Sequence, residues 1–508
     1  MPNDSAAADN VAHQAKHSTW PGLFGLILLG LLLGFSFQGT RGLWSPDEGR
    51  YVDAALEMID SGNYIAPAYS PDEVNFSKPP TTYWILAASF KVFGRTTWAA
   101  RIPYAIAFVL TLLTLYGVGR VLLPDRPWLP GLIYGCAAFP LLASNVVSTD
   151  AFLTLCEGVA MWGFISAAFA ADARILKRYV LLFWLGLGAA FLTKGPPGLL
   201  PLLAIIPFLV QRDGWRGLKP YFTLPGILLF LLIGLSWYAV AVVRYAGLLH
   251  YFLHQELYQR IFTSVQHRNP GLFGWAVAYL PTLVLGALPW WPLLMRHSSA
   301  WASSAMDSAL PSSRGLVRFL TMWFSIPFVV FCLAQSRLPL YLLPLFLPLS
   351  LLGAWALRDR LNLRSPPQAA MLALWLLGLI GVKAGTAYFI HSAKDNRLMA
   401  RQLDAIANPR AYETIIFVQE TGVDYAVEED VPWGLRLYMG KPVYGIPWLA
   451  SKGESALCHA LRASSTSLLV IEPNLKPNDI NAVIGRCVDG TIINHGSWRG
   501  RRLELVQP

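Results

Sequence analysis

Apolar runs long enough to cross a membrane recur along this sequence from Trp20 to about Ile390. A helix needs about 20 mainly apolar residues to span the hydrocarbon core of a bilayer. The composition agrees, because 55% of the 508 residues are hydrophobic and 14% are charged, whereas soluble domains carry roughly 25% charged residues. The sequence therefore predicts a polytopic α-helical membrane protein. The expected spans lie near residues 20–40, 98–123, 128–147, 150–171, 178–194, 196–210, 221–245, 272–295, 316–335, 338–357 and 368–391.

The loops between these runs are of two kinds, which predicts the orientation of the chain. Short basic loops such as RILKR at 174–178 and RDRLNLR at 358–364 are typical of the cytoplasmic side. Loops of acidic or mixed charge alternate with these basic loops along the chain, provided that segment 80–95 does not cross the membrane. Its apolar part of about 14 residues is short for a span, so we expect an interfacial or re-entrant helix there. This count puts the N-terminus inside, and the first loop at 41–97 and the tail outside.

The two ends of the chain differ from its middle. Residues 1–19 are polar and are expected to be a disordered cytoplasmic segment, followed by a transmembrane catalytic domain at 20–394. From 395 to 508 charge returns and apolar runs shrink to strand length, which predicts a small α/β periplasmic domain. Cys458 and Cys487 lie in this tail, where a disulfide can form if the tail is extracytoplasmic. The net charge of +10 is explained by cytoplasmic basic loops, so no nucleic-acid partner is expected.

Charged residues and one tyrosine beside the apolar runs mark a candidate site on the outer face. Ionisable groups in or near the membrane are costly and are by default functional candidates. Any single one could instead be an interfacial residue with its charge in water. That alternative fits less well where Pro, Ser or Thr neighbours expose the backbone, as beside Asp47, Lys78 and Asp150. The candidates are Asp47, Glu48, Arg50, Lys78, Asp150, Lys194, Arg260, Arg337 and Tyr341.

These residue types together suit the transfer of a sugar from a lipid phosphate. Lys, Arg and Tyr side chains in a cleft of low dielectric constant can hold an anionic phosphate. A nearby carboxylate can accept a proton from a hydroxyl or stabilise a developing oxocarbenium ion. A donor anchored in the bilayer would explain a site at the membrane surface. The hypothesis requires the acidic and cationic side chains to converge in one pocket at the outer leaflet.

Six motifs in chain order resemble those of the bacterial lipid A aminoarabinose transferases, which belong to the protein-O-mannosyltransferase superfamily of GT-C enzymes. The motifs are WSPDEGRY at 44–51, NFSKPPTTYW at 75–84, ARIP at 100–103, STDAFLTL at 148–155, LTKGPPG at 192–198 and SRLPLYLLPLFLP at 336–348. The resemblance implies a GT-C type fold with about 11 spans plus interfacial helices. It also implies an inverting transfer of aminoarabinose or a related sugar from undecaprenyl phosphate to lipid A or another lipopolysaccharide acceptor. This transfer would occur on the periplasmic side of the bacterial inner membrane.

The same resemblance assigns roles to the candidate residues. Asp47 matches the catalytic-loop aspartate and Asp150 a second acidic position. The donor phosphate would be held by Arg50, Lys78, Arg260, Arg337 and Tyr341, with Glu48 and Lys194 in support.

Three positions depart from the family pattern. Ser77 stands where a glutamate is common, and Leu257 follows Glu256 where a histidine is common. In relatives that glutamate and histidine can share a metal ion, so we predict no metal here, and no cofactor. Arg337 stands where Lys is usual, and the two are not interchangeable at a phosphate.

Two other functions remain open from the sequence. A transporter or flippase of lipid-linked sugars would also place polar residues in a helical bundle. Against it, the polar groups cluster on one side and no inverted repeat is visible. A protein O-glycosyltransferase would use the same donor chemistry with a different acceptor.

Overall fold

The computed structural model describes residues 4–71, 73–168, 173–259, 268–295, 311–389, 392–422, 430–449 and 453–507. The chain divides into two compact units. We call the first the membrane unit; it comprises Met1–Ser36, Ser77–Pro79 and Tyr104–Ala384. We call the second the sheet unit; it comprises Phe37–Phe76, Pro80–Pro103 and Gly385–Pro508.

Long apolar helices dominate the membrane unit. In the described part of the chain, seven helices are long and apolar enough to cross a membrane, and they coincide with seven of the expected spans. They are Thr97–Leu122, Asp150–Ala168, Arg174–Lys194, Leu224–Arg244, Gly315–Leu333, Pro339–Leu357 and Pro366–Tyr388.

The other four expected spans are shorter or broken helices. Prolines lie at or beside several of the breaks. Proline lacks an N–H donor and disrupts a helix interior, which explains why the helices are interrupted there. The helical fold class is confirmed, and the count of eleven crossings stays a prediction. The helices at these four places are the apolar stretch Trp20–Phe35, the pair Leu129–Cys136 and Ala138–Ala143, the turn Pro196–Leu199 with Leu202–Asp213, and the pair Gly274–Gly286 and Trp290–Met295.

At the N-terminus the chain is helical, and the expected disorder of residues 1–19 stays a prediction. The first helix spans Asp4–Phe35 and so includes most of the segment expected to be disordered. Its early residues include three consecutive alanines at 6–8, and alanine has the highest helix propensity.

Close helix packing positions the polar ends of two spans. Helices Asp150–Ala168 and Ala173–Lys194 approach so closely that a Cβ atom at Gly163 would lie 2.4 Å from the backbone nitrogen of Phe183. Small residues permit this approach between membrane helices. The contact brings the first residue of one helix near the last residue of the other.

The sheet unit contains a hairpin and a five-stranded sheet. The hairpin consists of β1 (Ala68–Ser70) and β2 (Glu73–Val74). In the sheet, the order is β4-β3-β5-β7-β6, with β3 parallel to β4 and β5, and β7 antiparallel to β5 and β6. Alternate residues of a strand face opposite sides, and hydrophobic clusters cover both sides. The strands are β3 (Thr414–Gln419), β4 (Val443–Pro447), β5 (Ser467–Ile471), β6 (Thr491–Trp498) and β7 (Arg501–Gln507).

In the described part of the tail, the helices Asn396–Ile406, Leu435–Met439, Gly453–Arg462 and Pro477–Cys487 accompany the five-stranded sheet. A disulfide between Cys458 and Cys487 joins helices Gly453–Arg462 and Pro477–Cys487. The predicted α/β character of the tail agrees with these elements.

Most of the predicted loop at 41–97 belongs to the sheet unit. It holds two helices, Asp47–Ser61 and Thr81–Phe93. The second of these coincides with the short helix expected at 80–95, and its interfacial or re-entrant position stays a prediction. Apolar contacts tie the loop to the tail, as where the rings of Tyr69 and Trp433 lie 5.3 Å apart. The compact units therefore do not follow the predicted boundaries at 20–394 and 395–508.

Candidate active site

Asp47 and Arg50 form an ion pair at the start of helix Asp47–Ser61. The Nη2 atom of Arg50 lies 2.6 Å from Oδ1 of Asp47, and the Asp47 side chain is 69% exposed. A carboxylate in the first turn is favoured by the helix dipole. Two predicted site residues are thus brought together, with the carboxylate accessible.

Glu48, the next residue, is buried in a network of ion pairs. Its carboxylate accepts from Arg41 at 2.6 and 2.8 Å, from Arg101 at 2.9 Å, and from the backbone N–H of Trp44 at 2.8 Å. Burial alone would raise the pKa of Glu48, but Arg101 and Arg41 lower it to about 2. These contacts make Glu48 a structural support for the motif.

In the membrane unit, three predicted residues meet at one place. The amine of Lys194 forms an ion pair with Asp150 and lies 4.3 Å from the centre of the Tyr341 ring. The side chains of Lys194 and Asp150 are 9% and 6% exposed. A cation shared by a carboxylate and an aromatic face is stabilised by both.

A further carboxylate, Glu157, lies close to this group and was not singled out from the sequence. It is 3% exposed, and it interacts electrostatically with Lys194 and Asp150. The available signal was an isolated acidic residue inside an apolar run, which is costly unless it has a role.

Lys78 has an acidic partner of its own in the membrane unit. Its amine lies 3.5 Å from the Glu256 carboxylate, with side-chain exposures of 16% and 18%, and it also donates to the carbonyl of Ser77 at 2.7 Å. Glu256 lies on the π-helical segment Phe252–Gln259. The pair links this segment to the KPP sequence at residues 78–80.

Arg337 is directed at main-chain carbonyls. Its guanidinium donates to the carbonyls of Asn269 at 2.9 Å, Gly271 at 2.7 Å and Cys332 at 2.9 Å. The residue is 2% exposed. These bonds hold the loop after residue 268, and a contact with donor phosphate stays a prediction.

Arg260 lies outside the described residues. In the described part of the chain there is no cluster of three or more His, Cys, Asp and Glu side chains that could hold a metal ion. The expectation of a site without metal stays a prediction.

The sequence is similar to a protein mannosyltransferase family and to bacterial aminoarabinose transferases. Residues 77–239 match the family model described as dolichyl-phosphate-mannose-protein mannosyltransferase. The undecaprenyl phosphate-alpha-4-amino-4-deoxy-L-arabinose arabinosyl transferase of Pseudomonas aeruginosa (strain UCBPP-PA14) is 32% identical over 69% of this chain and 61% of its own length. The second such transferase of Pseudomonas fluorescens (strain Pf0-1) is 30% identical over 74% of this chain and 65% of its own length. The chain thus spans less than two thirds of the length of these relatives.

Solved structures show the same fold. ArnT from Cupriavidus metallidurans bound to undecaprenyl phosphate matches with a TM-score of 0.73 at 18% identity, over 96% of this chain and 98% of that one. The chain is an aminoarabinose transferase-like protein. Arabinofuranosyltransferase AftD from Mycobacteria matches with a TM-score of 0.51 at 14% identity, over 96% of this chain and 40% of that one. The predicted resemblance and GT-C fold class of this aminoarabinose transferase-like protein are confirmed.

Proposed function

We propose that the protein is an inverting glycosyltransferase. It moves aminoarabinose or a related sugar from a polyprenyl-phosphate donor to lipid A or another lipopolysaccharide acceptor. The observation that carries the proposal is the pair of Asp47 and Arg50, in which an accessible carboxylate and a guanidinium lie 2.6 Å apart. Such a pair offers a carboxylate to the sugar and a cation to the phosphate. The donor class follows from the names of the similar proteins, and the acceptor class follows from the motif resemblance.

The reaction exchanges one bond at the anomeric carbon. The bond to the donor phosphate oxygen breaks, and polyprenyl phosphate leaves with both electrons of that bond. An acceptor oxygen bonds to the opposite face of the same carbon. If the acceptor is a hydroxyl, Asp47 takes its proton as general base. If the acceptor is a phosphate, it is already ionised, and Asp47 orients the sugar or stabilises its positive charge.

We assign Lys78 and Tyr341 of the membrane unit to the leaving phosphate. Lys78 and the Tyr341 hydroxyl would bind its oxygens, as we propose for Arg50 and Arg260. Lys194 balances the charge of Asp150, whose carboxylate is then available to sugar hydroxyls. Arg337 would act indirectly, because its guanidinium already serves three main-chain carbonyls.

We further propose that the active site and residues 395–508 face the periplasm. The support is the basic character of the loops assigned to the cytoplasm. A reporter that works only in the periplasm, fused after Asp395, should be active. An inactive reporter would refute this orientation.

A protein acceptor is the second candidate, because the family model over residues 77–239 is named for a protein mannosyltransferase. Transfer to a serine or threonine hydroxyl would require a general base, the role given to Asp47.

Sugar transfer by the purified protein in lipid vesicles tests the proposal. With a radiolabelled undecaprenyl-phosphate aminoarabinose donor, we expect labelled lipid A from the wild type and none from Asp47→Asn. The matched control is Asp213→Asn, since Asp213 is also paired with an arginine, Arg212, and is 42% exposed; it should transfer at the wild-type rate. Label in an added peptide would favour the second candidate, and donor movement across the vesicle without transfer would favour a transporter. Normal transfer by Asp47→Asn would refute the catalytic assignment.

A further inference from the structure

Three acidic side chains follow one side of the helix that begins at Asp47. Asp53, Glu57 and Asp60 are separated by four and three residues, a spacing that places side chains on the same face of an α-helix. Like charges at this spacing repel each other. The face therefore requires partners. The sheet unit supplies them from a short segment at 433–436 and, for Asp60, also from Arg95.

Arg436 bridges two of the three carboxylates. Its Nη1 atom donates to Glu57 at 2.6 Å, and its Nη2 atom donates to Asp60 at 2.7 Å. The Arg436 side chain is 6% exposed and that of Glu57 is 8% exposed. Only a planar guanidinium offers two donors in a fixed fork that can reach both carboxylates at once.

The same segment touches the helix at two more points nearer Asp47. The backbone N–H of Gly434 donates to Asp53 at 2.7 Å. A Cβ atom at Gly49 would lie 1.6 Å from the carbonyl oxygen of Trp433, so only glycine permits this approach. The same carbonyl accepts from the Asn396 amide at 2.6 Å, which fixes its position.

The helix is therefore held at residues 49, 53, 57 and 60, from two residues after Asp47 to its last turn. We propose that Arg436 is a positioning residue that sets the orientation of this helix and hence the placement of the Asp47 carboxylate. The inference rests on the proposed function, in which Asp47 acts on the sugar.

A positioning role and a purely structural role predict different kinetics. Displacing a reacting group by about 1 Å can reduce the rate about 100-fold without affecting the binding of substrate elsewhere. A purely structural residue would lower the unfolding temperature, but the molecules that remain folded would turn over at the normal rate. Arg436→Lys separates the two, because a lysine keeps the charge and can pair with only one of the carboxylates.

Leu469→Ala supplies the control for stability. Leu469 on β5 is fully buried in the hydrophobic cluster that includes Leu457 and Ile480, and it has no role at helix Asp47–Ser61. Its truncation leaves a cavity in the sheet unit and lowers stability. Both variants are compared as full-length protein in vesicles, at a temperature where each is folded.

For Arg436→Lys we expect kcat to fall about 10- to 100-fold, with less than a twofold change in KM for the donor. Leu469→Ala should keep the wild-type kcat despite its lower unfolding temperature. Hydrogen exchange should accelerate at the amides of residues 50–57 in Arg436→Lys and stay unchanged there in Leu469→Ala.

Two results would overturn the inference: a wild-type kcat in Arg436→Lys, or an equal loss of kcat in both variants. If the wild type itself transfers no sugar from any polyprenyl-phosphate donor, the proposed function fails. Hydrogen exchange then decides the positioning role on its own, and unchanged exchange at residues 50–57 in Arg436→Lys would reject it.

Discussion

Asp47 and Glu48 are neighbours in the sequence but occupy different environments. The Asp47 side chain is 69% exposed, whereas the Glu48 side chain is 3% exposed and paired with Arg41 and Arg101. Successive residues of an α-helix point about 100° apart, because the helix has 3.6 residues per turn. One carboxylate is therefore available for chemistry, and the other stabilises the segment that carries it.

Glu48→Gln should lower the free energy of unfolding substantially, while the activity of each folded molecule should change little. The substitution leaves two buried arginines without their carboxylate, and breaking a buried ion pair costs about 3–5 kcal/mol. Thermal or denaturant unfolding measures the loss. Glu454→Gln is the control, because Glu454 pairs with Arg486 where both side chains are 66% exposed; it should change stability by less than about 1 kcal/mol. Equal effects would contradict a structural role for Glu48.

The stability of the protein should also depend on pH through Asp53. Burial raises the pKa of this carboxyl to about 7, despite the opposing hydrogen bond from Gly434 and the charge of Arg436. An unfolded Asp titrates near pH 4. The folded state thus binds one more proton between about pH 4 and pH 7, so the free energy of unfolding falls as pH rises through this range.

Asp53→Asn removes this titration and should flatten the pH dependence. At pH 8 the variant should be more stable than the wild type, by at most about 4 kcal/mol for a shift of about three pKa units. At pH 4 the two should be similar. Thermal unfolding of both proteins at pH 4, 6 and 8 tests this, and parallel pH profiles would show that Asp53 does not titrate near neutral pH.

The sequence predicted the fold class and the family because both depend on repeated local patterns. Long apolar runs predict membrane helices without any knowledge of the tertiary structure. The six motifs carry the family resemblance. The sequence also named Asp150, Lys194 and Tyr341, which the structure brings together.

Partners far apart in the sequence could not be predicted in this way. Arg101 is 53 residues from Glu48, and Arg436 is 379 residues from Glu57. No local pattern encodes such pairs, since they arise only when separate segments pack together. For the same reason the loop at 41–97 was assigned to the transmembrane catalytic domain although it packs with the tail.

Tyr341→Phe should separate two roles of this side chain. The ring that faces Lys194 is kept, but the hydroxyl proposed to bind the donor phosphate is lost. A hydrogen bond to a charged group contributes about 1.5–3 kcal/mol, so the donor dissociation constant should rise about 10- to 100-fold. Tyr341→Ala should also lower kcat, because Lys194 loses its aromatic contact. An unchanged dissociation constant in Tyr341→Phe would remove the hydroxyl from the phosphate site.

Glu256 should compete with the donor phosphate for Lys78. The two side chains are 3.5 Å apart and mostly buried, and a phosphate that binds the amine must weaken this pair. Lys78→Ala should therefore weaken donor binding, while Glu256→Gln should tighten it about two- to fivefold, the size of a weak ion pair. In the double variant the benefit of Glu256→Gln should vanish, because its effect acts through Lys78. Titration of undecaprenyl phosphate into all four proteins measures the cycle, and additive effects of the two substitutions would show that Glu256 acts on donor binding by another route.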